Sequence, residues 1–261
     1  MRIMTTEPAT TEPATTEPAT TEPATAEPAA GPVDLRHLTR LLAWMSPGFP
    51  IGGYTYSHGI EFAVEAGRVR DRESLVSWIE AILLHGAGWT DAVLFTAAAR
   101  AVAQGDEAAL RWAAERAGAM RGSSELALES TAQGTAFLST VKATWPPPGL
   151  DRWVGVIAAT GRPPAHAVAV AVVTACAGMD AEAALCAFLH GFAANLVSAG
   201  VRLVPLGQTD GQRAIARLDP VLHRVASDAL AADPADLGSR APLVDWAAMS
   251  HETQYTRLFR S

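Results

Sequence analysis

The 261-residue chain predicts an all-α fold: a single helical-bundle domain of about ten helices behind a disordered N-terminal tail. Three observations carry that expectation. Apolar residues recur at three- and four-residue spacing in one segment after another, the period of a helix that buries one face. The one alternating run, Val168, Val170 and Val172, sits among alanines without the turn spacing of a sheet, so helix is favoured there as well. A composition of 49% hydrophobic and 18% charged residues gives a chain of this length enough apolar surface for a full core.

The tail comes first. Residues 5–29 repeat Thr-Glu-Pro-Ala-Thr with a period of five, placing Glu7, Glu12, Glu17, Glu22 and Glu27 among prolines. Proline at every fifth position blocks a helix, and the near absence of apolar side chains leaves nothing to bury, so residues 1–32 are expected to be disordered and extended. The segment lacks the apolar run of a signal peptide and is too acidic for a transit peptide. Arg2 and the five glutamates carry a net charge of -4 out of -7, leaving -3 for residues 33–261, the helical domain. That balance offers no broad cationic surface for nucleic acid or an anionic membrane.

A first helix begins after Asp34, a suitable cap, and carries Leu35, Leu38, Leu41, Leu42 and Met45. It feeds a shaped loop from Trp44 to Glu61. Pro47 and Pro50 fix their own φ, while Gly52 and Gly53 admit φ values closed to other residues. Trp44, Phe49, Tyr54 and Tyr56 add rings that suit a groove or an interface. Thr55 or Ser57 can cap the next helix, which reads through Ile60, Glu61 and Val64 to a stop at Gly67. By composition alone this is a tight connection between two helices. Its paired glycines are not followed by Gly-Lys-Ser/Thr, and no G-x-G-x-x-G opens a helix, so nucleotide binding is disfavoured.

Asp71 can cap a helix bearing Leu75, Trp78, Ile79, Ile82 and Leu83, and Asp91 to Val102 continues the pattern to a stop near Gly105, where Asp106 restarts it. Arg121 to Lys142 reads as a long, partly exposed helix. The prolines at 146–148 and at 163–164 interrupt the chain on either side of a short apolar piece. Ala183 to Val201 has no formal charge with His190 neutral and approaches the length of a membrane span. His190, Asn195 and Ser198 dilute it, so a central buried helix is expected, part of which could pair two subunits. Thr209 to Gln212 has the spacing of a capping box and Asp219-Pro220 that of a second helix start, so two helices are expected there. Beyond Pro234, Gly238 and Pro242 the apolar density falls, and this end is poorly suited to folding alone.

Recognisable catalytic chemistry is missing. His251-Glu252 is followed by Tyr255 where a zinc-binding H-E-x-x-H needs its second histidine, and no G-x-S-x-G elbow occurs. Cys176 and Cys186 lack C-x-x-C spacing and read as buried thiols. The histidines at 37, 58, 85, 166, 190, 223 and 251 are scattered, and a lone one such as His190 is expected as a hydrogen-bonded core or interface residue. His58 is the one histidine singled out as a candidate metal ligand. No tightly bound cofactor is expected.

The run Ser46-Pro47-Gly48-Phe49-Pro50-Ile51-Gly52-Gly53-Tyr54-Thr55-Tyr56-Ser57-His58-Gly59-Ile60-Glu61 resembles the N-terminal signature of the urease accessory protein UreF family. Pro205 to Gln212 and His251 to Ser261 resemble the family's other two signatures, in the same order. The similarity spans roughly residues 35–261, with Gly48 where a small residue such as Ala is usual and Thr256 where Ser is usual. Glu125, Glu129 and Gln133 also resemble a weaker polar signature of the family, in which they would face another surface; a solvated helix face reads equally well.

The resemblance implies a non-enzymatic, cytoplasmic, homodimeric chaperone that binds UreD (also called UreH), recruits the GTPase UreG and serves nickel insertion into apo-urease. Nickel would be handled by the complex and GTP bound by UreG. An alternative is a GTPase-activating role in which Arg257 or Arg260 supplies an arginine finger. The partner contacts implied in the loop are Phe49, Gly52, Gly53, Tyr54, Tyr56, Ser57, His58 and Glu61. The second signature contributes Gln208 and Gln212. The end of the chain, a partner-binding tail from about residue 240 to 261, contributes His251, Glu252, Gln254, Tyr255, Arg257, Leu258, Phe259 and Arg260. Residues 254–261 are expected to be mobile alone and to become ordered on a partner.

Overall fold

The computed structural model describes residues 34–261, so the disordered repeat expected over residues 1–32 lies outside the described residues. Among these residues there are eleven α-helices and no strand. They are α1 (Leu35–Trp44), α2 (Ile60–Glu65), α3 (Arg72–His85), α4 (Ala87–Gln104), α5 (Glu107–Ala119), α6 (Ser124–Thr144), α7 (Leu150–Ala158), α8 (His166–Cys176), α9 (Ala181–Leu203), α10 (Gln208–Ala231) and α11 (Pro242–His251). The fold is all-α.

Local chemistry sets most of the boundaries. The Asp34, Asp71, Asp106, Ser123 and Asp180 side chains each accept a backbone N–H of the first turn they precede, satisfying donors that the helix itself leaves unpaired. Gly105 ends α4 in the left-handed region at φ +73°. Arg162 to Pro164 separates α7 from α8, and Pro146 to Gly149 separates α6 from α7.

The core is built on α8, whose residues from Ala167 to Thr174 are all buried. The packing of α4 along it and of α6 and α9 against it covers every face, and in that setting β-branched valines are accommodated in a helix despite their strand preference. The stretches Arg72–Gln104 and Ala181–Leu203 are long and apolar enough to cross a membrane, and 67% and 50% of their apolar 18-residue segments are buried inside the fold, as befits helices of a protein core.

Several expectations change. The two helices expected across Asp219-Pro220 are one, α10, with Pro220 inside it. Its stripe of Gly211, Ala214, Leu218, Leu222, Val225 and Ala229 is buried without interruption, while Pro220 is exposed, so the missing donor falls on the outer side and the packed face carries the helix through. Thr209 lies within the first turn and does not cap it, because α10 starts at Gln208 behind Gly207. His190 is exposed on α9 rather than in the core. Cys176 and Cys186 are free and only half-buried, although burial, aided by nearby Glu182, Asp180 and Asp219, pushes the Cys186 thiol up to about 11.

Close helix approach depends on Gly134 of α6, where an added Cβ would lie 2.2 Å from the Pro164 carbonyl oxygen. Gly134→Ala is therefore expected to lower stability by about 1–3 kcal/mol or more through forced separation of α6 from the start of α8. Gly155 of α7 has open space around it, and Gly155→Ala is expected to be neutral or to stabilise by about 0.5–1 kcal/mol. Chemical denaturation midpoints of the two variants check the pair.

Candidate functional site

The loop after α1 takes its shape from a few constrained residues. Gly52 at φ +71° leads into a 3-10 turn, Gly53–Thr55, that puts the Tyr54 ring outside with 66% of its surface exposed. The chain then extends through Tyr56, whose carbonyl accepts from the Asn195 amide of α9 at 3.5 Å. His58 at φ +56° and Gly59 at φ +78° form consecutive left-handed residues that swing the chain into α2. Among the described residues His58 is the one non-glycine with positive φ, a conformation that costs about 1–3 kcal/mol and persists only where the surroundings enforce it. Gly59 is enforced by space as well: a Cβ there would sit 2.8 Å from the Ala248 nitrogen of α11.

Onto this loop folds the end of the chain. The Arg260 N–H donates to the Thr55 carbonyl and the Ser57 N–H to the Ser261 carbonyl, both at 2.9 Å, and the Ser57 hydroxyl donates to the same Ser261 oxygen. Ser57 also accepts the Glu61 N–H at 3.3 Å, so it does help to cap α2 as its position suggested, with Gly59 as the terminal residue.

Three carboxylates, two buried (Glu61 and Glu129) and one half-buried (Glu125), receive the returning segment. Glu61 of α2 accepts the Leu258 N–H at 2.6 Å and the Phe259 N–H at 2.9 Å, and its Oε2 faces His251 Nε2 at 3.1 Å. Glu125 of α6 meets His251 Nδ1 at 2.6 Å and accepts from the Arg257 guanidinium at 2.5 Å. Glu129, one turn further on, accepts the Ser261 hydroxyl at 2.8 Å and lies 3.4 Å from His58 Nδ1. Burial alone would raise the Glu129 carboxyl, but His58, the Ser261 hydroxyl and Arg121 outweigh it and hold the group below its ordinary range. At the rim, Glu252 accepts the backbone N–H and hydroxyl of Ser124 at 2.7 and 2.8 Å, an acid placed at the positive end of α6. The Gln254 amide reaches Glu65 at 2.5 Å.

Behind these groups Arg121 makes a two-pronged contact with Asp91 at 2.7 and 3.1 Å. His58, His166 and Glu129 border a small space of about 20 Å³, room for a single water. A second cavity of about 110 Å³, bordered by Trp44, Phe49, Gln133, His166 and Phe192, opens towards the loop. Burial pushes His166 down to about 4, against the pull of Asp91 and Glu129.

The residues expected to contact partners thus divide. Phe49, Tyr56, Ser57, His58, Glu61, His251 and Phe259 are buried and shape the site from inside. Tyr54, Gln208, Gln212, Tyr255, Arg257, Leu258 and Arg260 are exposed, and Gly52, Gly53, Glu252 and Gln254 partly so. The expectation that residues 254–261 are mobile in the chain alone is corrected: their backbone is anchored on Glu61 and the loop, and Phe259 is roofed by the Arg202 guanidinium, 4.4 Å above the ring. Sequence reasoning took the Glu129 face to be solvated or turned to another surface, whereas the return of residues 251–261 encloses it. It also missed His166 and the Asp91–Arg121 pair, for which no local pattern exists. Among the described residues no group of three His, Cys, Asp or Glu side chains has the arrangement of a metal site, and both His58 nitrogens are sealed from solvent without a hydrogen bond.

Two signature segments nearly two hundred residues apart therefore form one structure. The family model named UreF matches residues 69–219. A urease accessory protein UreF of Rhodopseudomonas palustris strain HaA2 is 49% identical over 89% of this chain and 98% of its own length. The chain belongs to the UreF family. Relatives with the same description in Bradyrhizobium sp. strain BTAi1 and Granulibacter bethesdensis are 47% identical over 89% and 86% of this chain and over 96% and 94% of theirs. Membership supports a role in urease maturation as an accessory protein.

The neutral His166 links the site to pH. An unfolded chain takes up a proton at this ring as pH falls through 6.5, whereas the folded chain does not until about 4, so stability falls across that interval. From the ordinary carboxylate range downward, the depressed Glu129 carboxyl acts in the same direction, its contribution being lost as it becomes protonated. The melting temperature is expected to drop as pH is lowered from 6.5 to 4, and His166→Gln is expected to flatten the drop in that interval alone.

Proposed function

We propose that this protein is a non-catalytic scaffold of urease maturation, which holds UreD (UreH) and the GTPase UreG together while nickel is inserted into apo-urease. The observation that carries the reading is the compound surface at the joined signatures. Tyr54 is displayed by a loop whose backbone is constrained from beneath, and Tyr255 is fully and Leu258 largely exposed although the backbone beside them is anchored on Glu61. Apolar side chains projecting from a preordered backbone lose little entropy on binding, the condition for a strong contact. Leu243, Trp246 and Met249 extend the exposed apolar surface along α11.

Scaffolding of this kind acts by favouring one state of the GTPase over another, so that nucleotide turnover is coupled to metal release. Nickel is the cargo of the assembly, GTP belongs to UreG, and the setting is the cytoplasm. A homodimer is part of the reading, supported by the exposed stripe of Leu35, Leu38 and Leu42 on α1. The arginine-finger alternative is weakened for Arg257, whose guanidinium is engaged by Glu125, while Arg260 lies over the Tyr56 ring at 5.9 Å.

Co-expression of the chain with UreD, UreG and apo-urease tests the reading, with nickel-dependent activation as the readout; full activation without the chain refutes it. Within that system Tyr255→Ala and Leu258→Ala are expected to weaken UreD capture about tenfold or more, and Tyr54→Ala to weaken UreG capture, with stability kept within about 0.5 kcal/mol. Single-turnover GTP hydrolysis by UreG separates the alternative, since a finger raises the rate by about 10³-fold or more and one Arg→Ala change abolishes the gain.

A further inference from the structure

The environment of His251 carries an inference that neither rests on the scaffold reading nor is contained in it. The side chain is fully buried, with Nδ1 2.6 Å from Glu125 Oε2 and Nε2 3.1 Å from Glu61 Oε2. A neutral imidazole has one N–H and one lone pair, so between two carboxylates it would turn that lone pair on an anionic oxygen. A ring that donates to both is the imidazolium. We propose that His251 is the pin of a proton-operated latch: while charged it holds residues 252–261 shut on the fold, and loss of its proton lets that segment lift away.

The connection to the segment is direct, because both carboxylates that grip the ring also grip the tail. Glu61 accepts the Leu258 and Phe259 amides, and Glu125 accepts from Arg257. With the ring charged, two anions face two cations. With the ring neutral, Arg257 still faces Glu125, but the buried Glu61 has no cation beside it and one of the two carboxylates meets a lone pair, an arrangement that burial makes strongly unfavourable.

Other charges around the latch already have partners of their own. On α6 and the loop, Glu129 holds Ser261 beside His58; on α2, Glu65 holds Gln254. Arg121 is taken by Asp91 of α4, Glu252 by Ser124, and Asp245 of α11 by Ser239. Arg202 of α9 and Arg260 lie over the Phe259 and Tyr56 rings. None of them faces either nitrogen of His251, so none substitutes for its charge. Opening uncovers Ser57, Glu61 and the ring of Phe259.

The test uses the full chain, labelled with ¹⁵N. Ring ¹⁵N shifts of His251 report its protonation, and amide exchange of Leu258 and Phe259, corrected for the intrinsic rate at each pH, reports closure. Expected are two protonated ring nitrogens while the tail is closed, and at least a tenfold loss of protection at both amides as the ring titrates. His251→Gln, neutral at every pH, is expected to show low protection without an alkaline transition. A neutral ring beneath a protected tail overturns the latch, as does ring titration with unchanged protection, or an alkaline transition retained in His251→Gln. If that variant fails to fold, the two measurements on the native chain decide alone.

Discussion

The end of the molecule that carries the signatures depends on one buried carboxylate, Glu61. It accepts two backbone amides of the returning chain and faces the imidazole of α11. Placing an ion there costs several kcal/mol of desolvation, and the cost is offset only because its oxygens are fully engaged. The helix that bears it, α2, has six residues, too few to be stable by itself. What holds α2 is the set of elements that meet at its first turn: the loop before it, α11 across Gly59, and residues 257–261. Removing the carboxylate would leave one ring nitrogen of His251 and two buried amides unpaired, a far larger loss than deletion of any surface ion pair on this protein.

Backbone shape follows from the same meeting point. The left-handed pair His58–Gly59 is sustained from three sides: α11 presses against Gly59, Ser261 accepts the Ser57 N–H at its carbonyl oxygen and the His58 N–H at its hydroxyl, and Phe192 packs edge-on to the His58 ring at 5.3 Å. Strain of this sort holds only when the packing around it is over-determined. The consequence is a loop whose display of Tyr54 is set by contacts in α9, α11 and the chain end together, so the exposed surface inherits its geometry from buried polar chemistry.

The chain's local chemistry determined a good deal. Caps at Asp34, Asp71, Asp106 and Ser123, the stop at Gly105 and the apolar period of each segment are properties of neighbouring residues, and they specified an all-α fold with most of its helix starts in place. Tyr54 as a displayed ring and the constrained loop that carries it were also legible, because proline, glycine and aromatic residues constrain a loop through their own covalent geometry. Only the tertiary structure decided which charges are buried. His190, His166 and His251 are the same residue type, yet one is exposed, one is held neutral and one is gripped by two acids, according to which helix face a distant element covers. Glu61, Glu125 and Glu129 read as solvated helix residues or as contacts turned to another surface until residues 251–261, far away in the chain, return to cover them. Pro220 passes through α10 for a related reason: a local helix breaker yields when a continuous buried stripe supplies more free energy than the single lost hydrogen bond removes. Periodicity reports what a segment can bury, and the partner that buries it is chosen by packing across the whole chain.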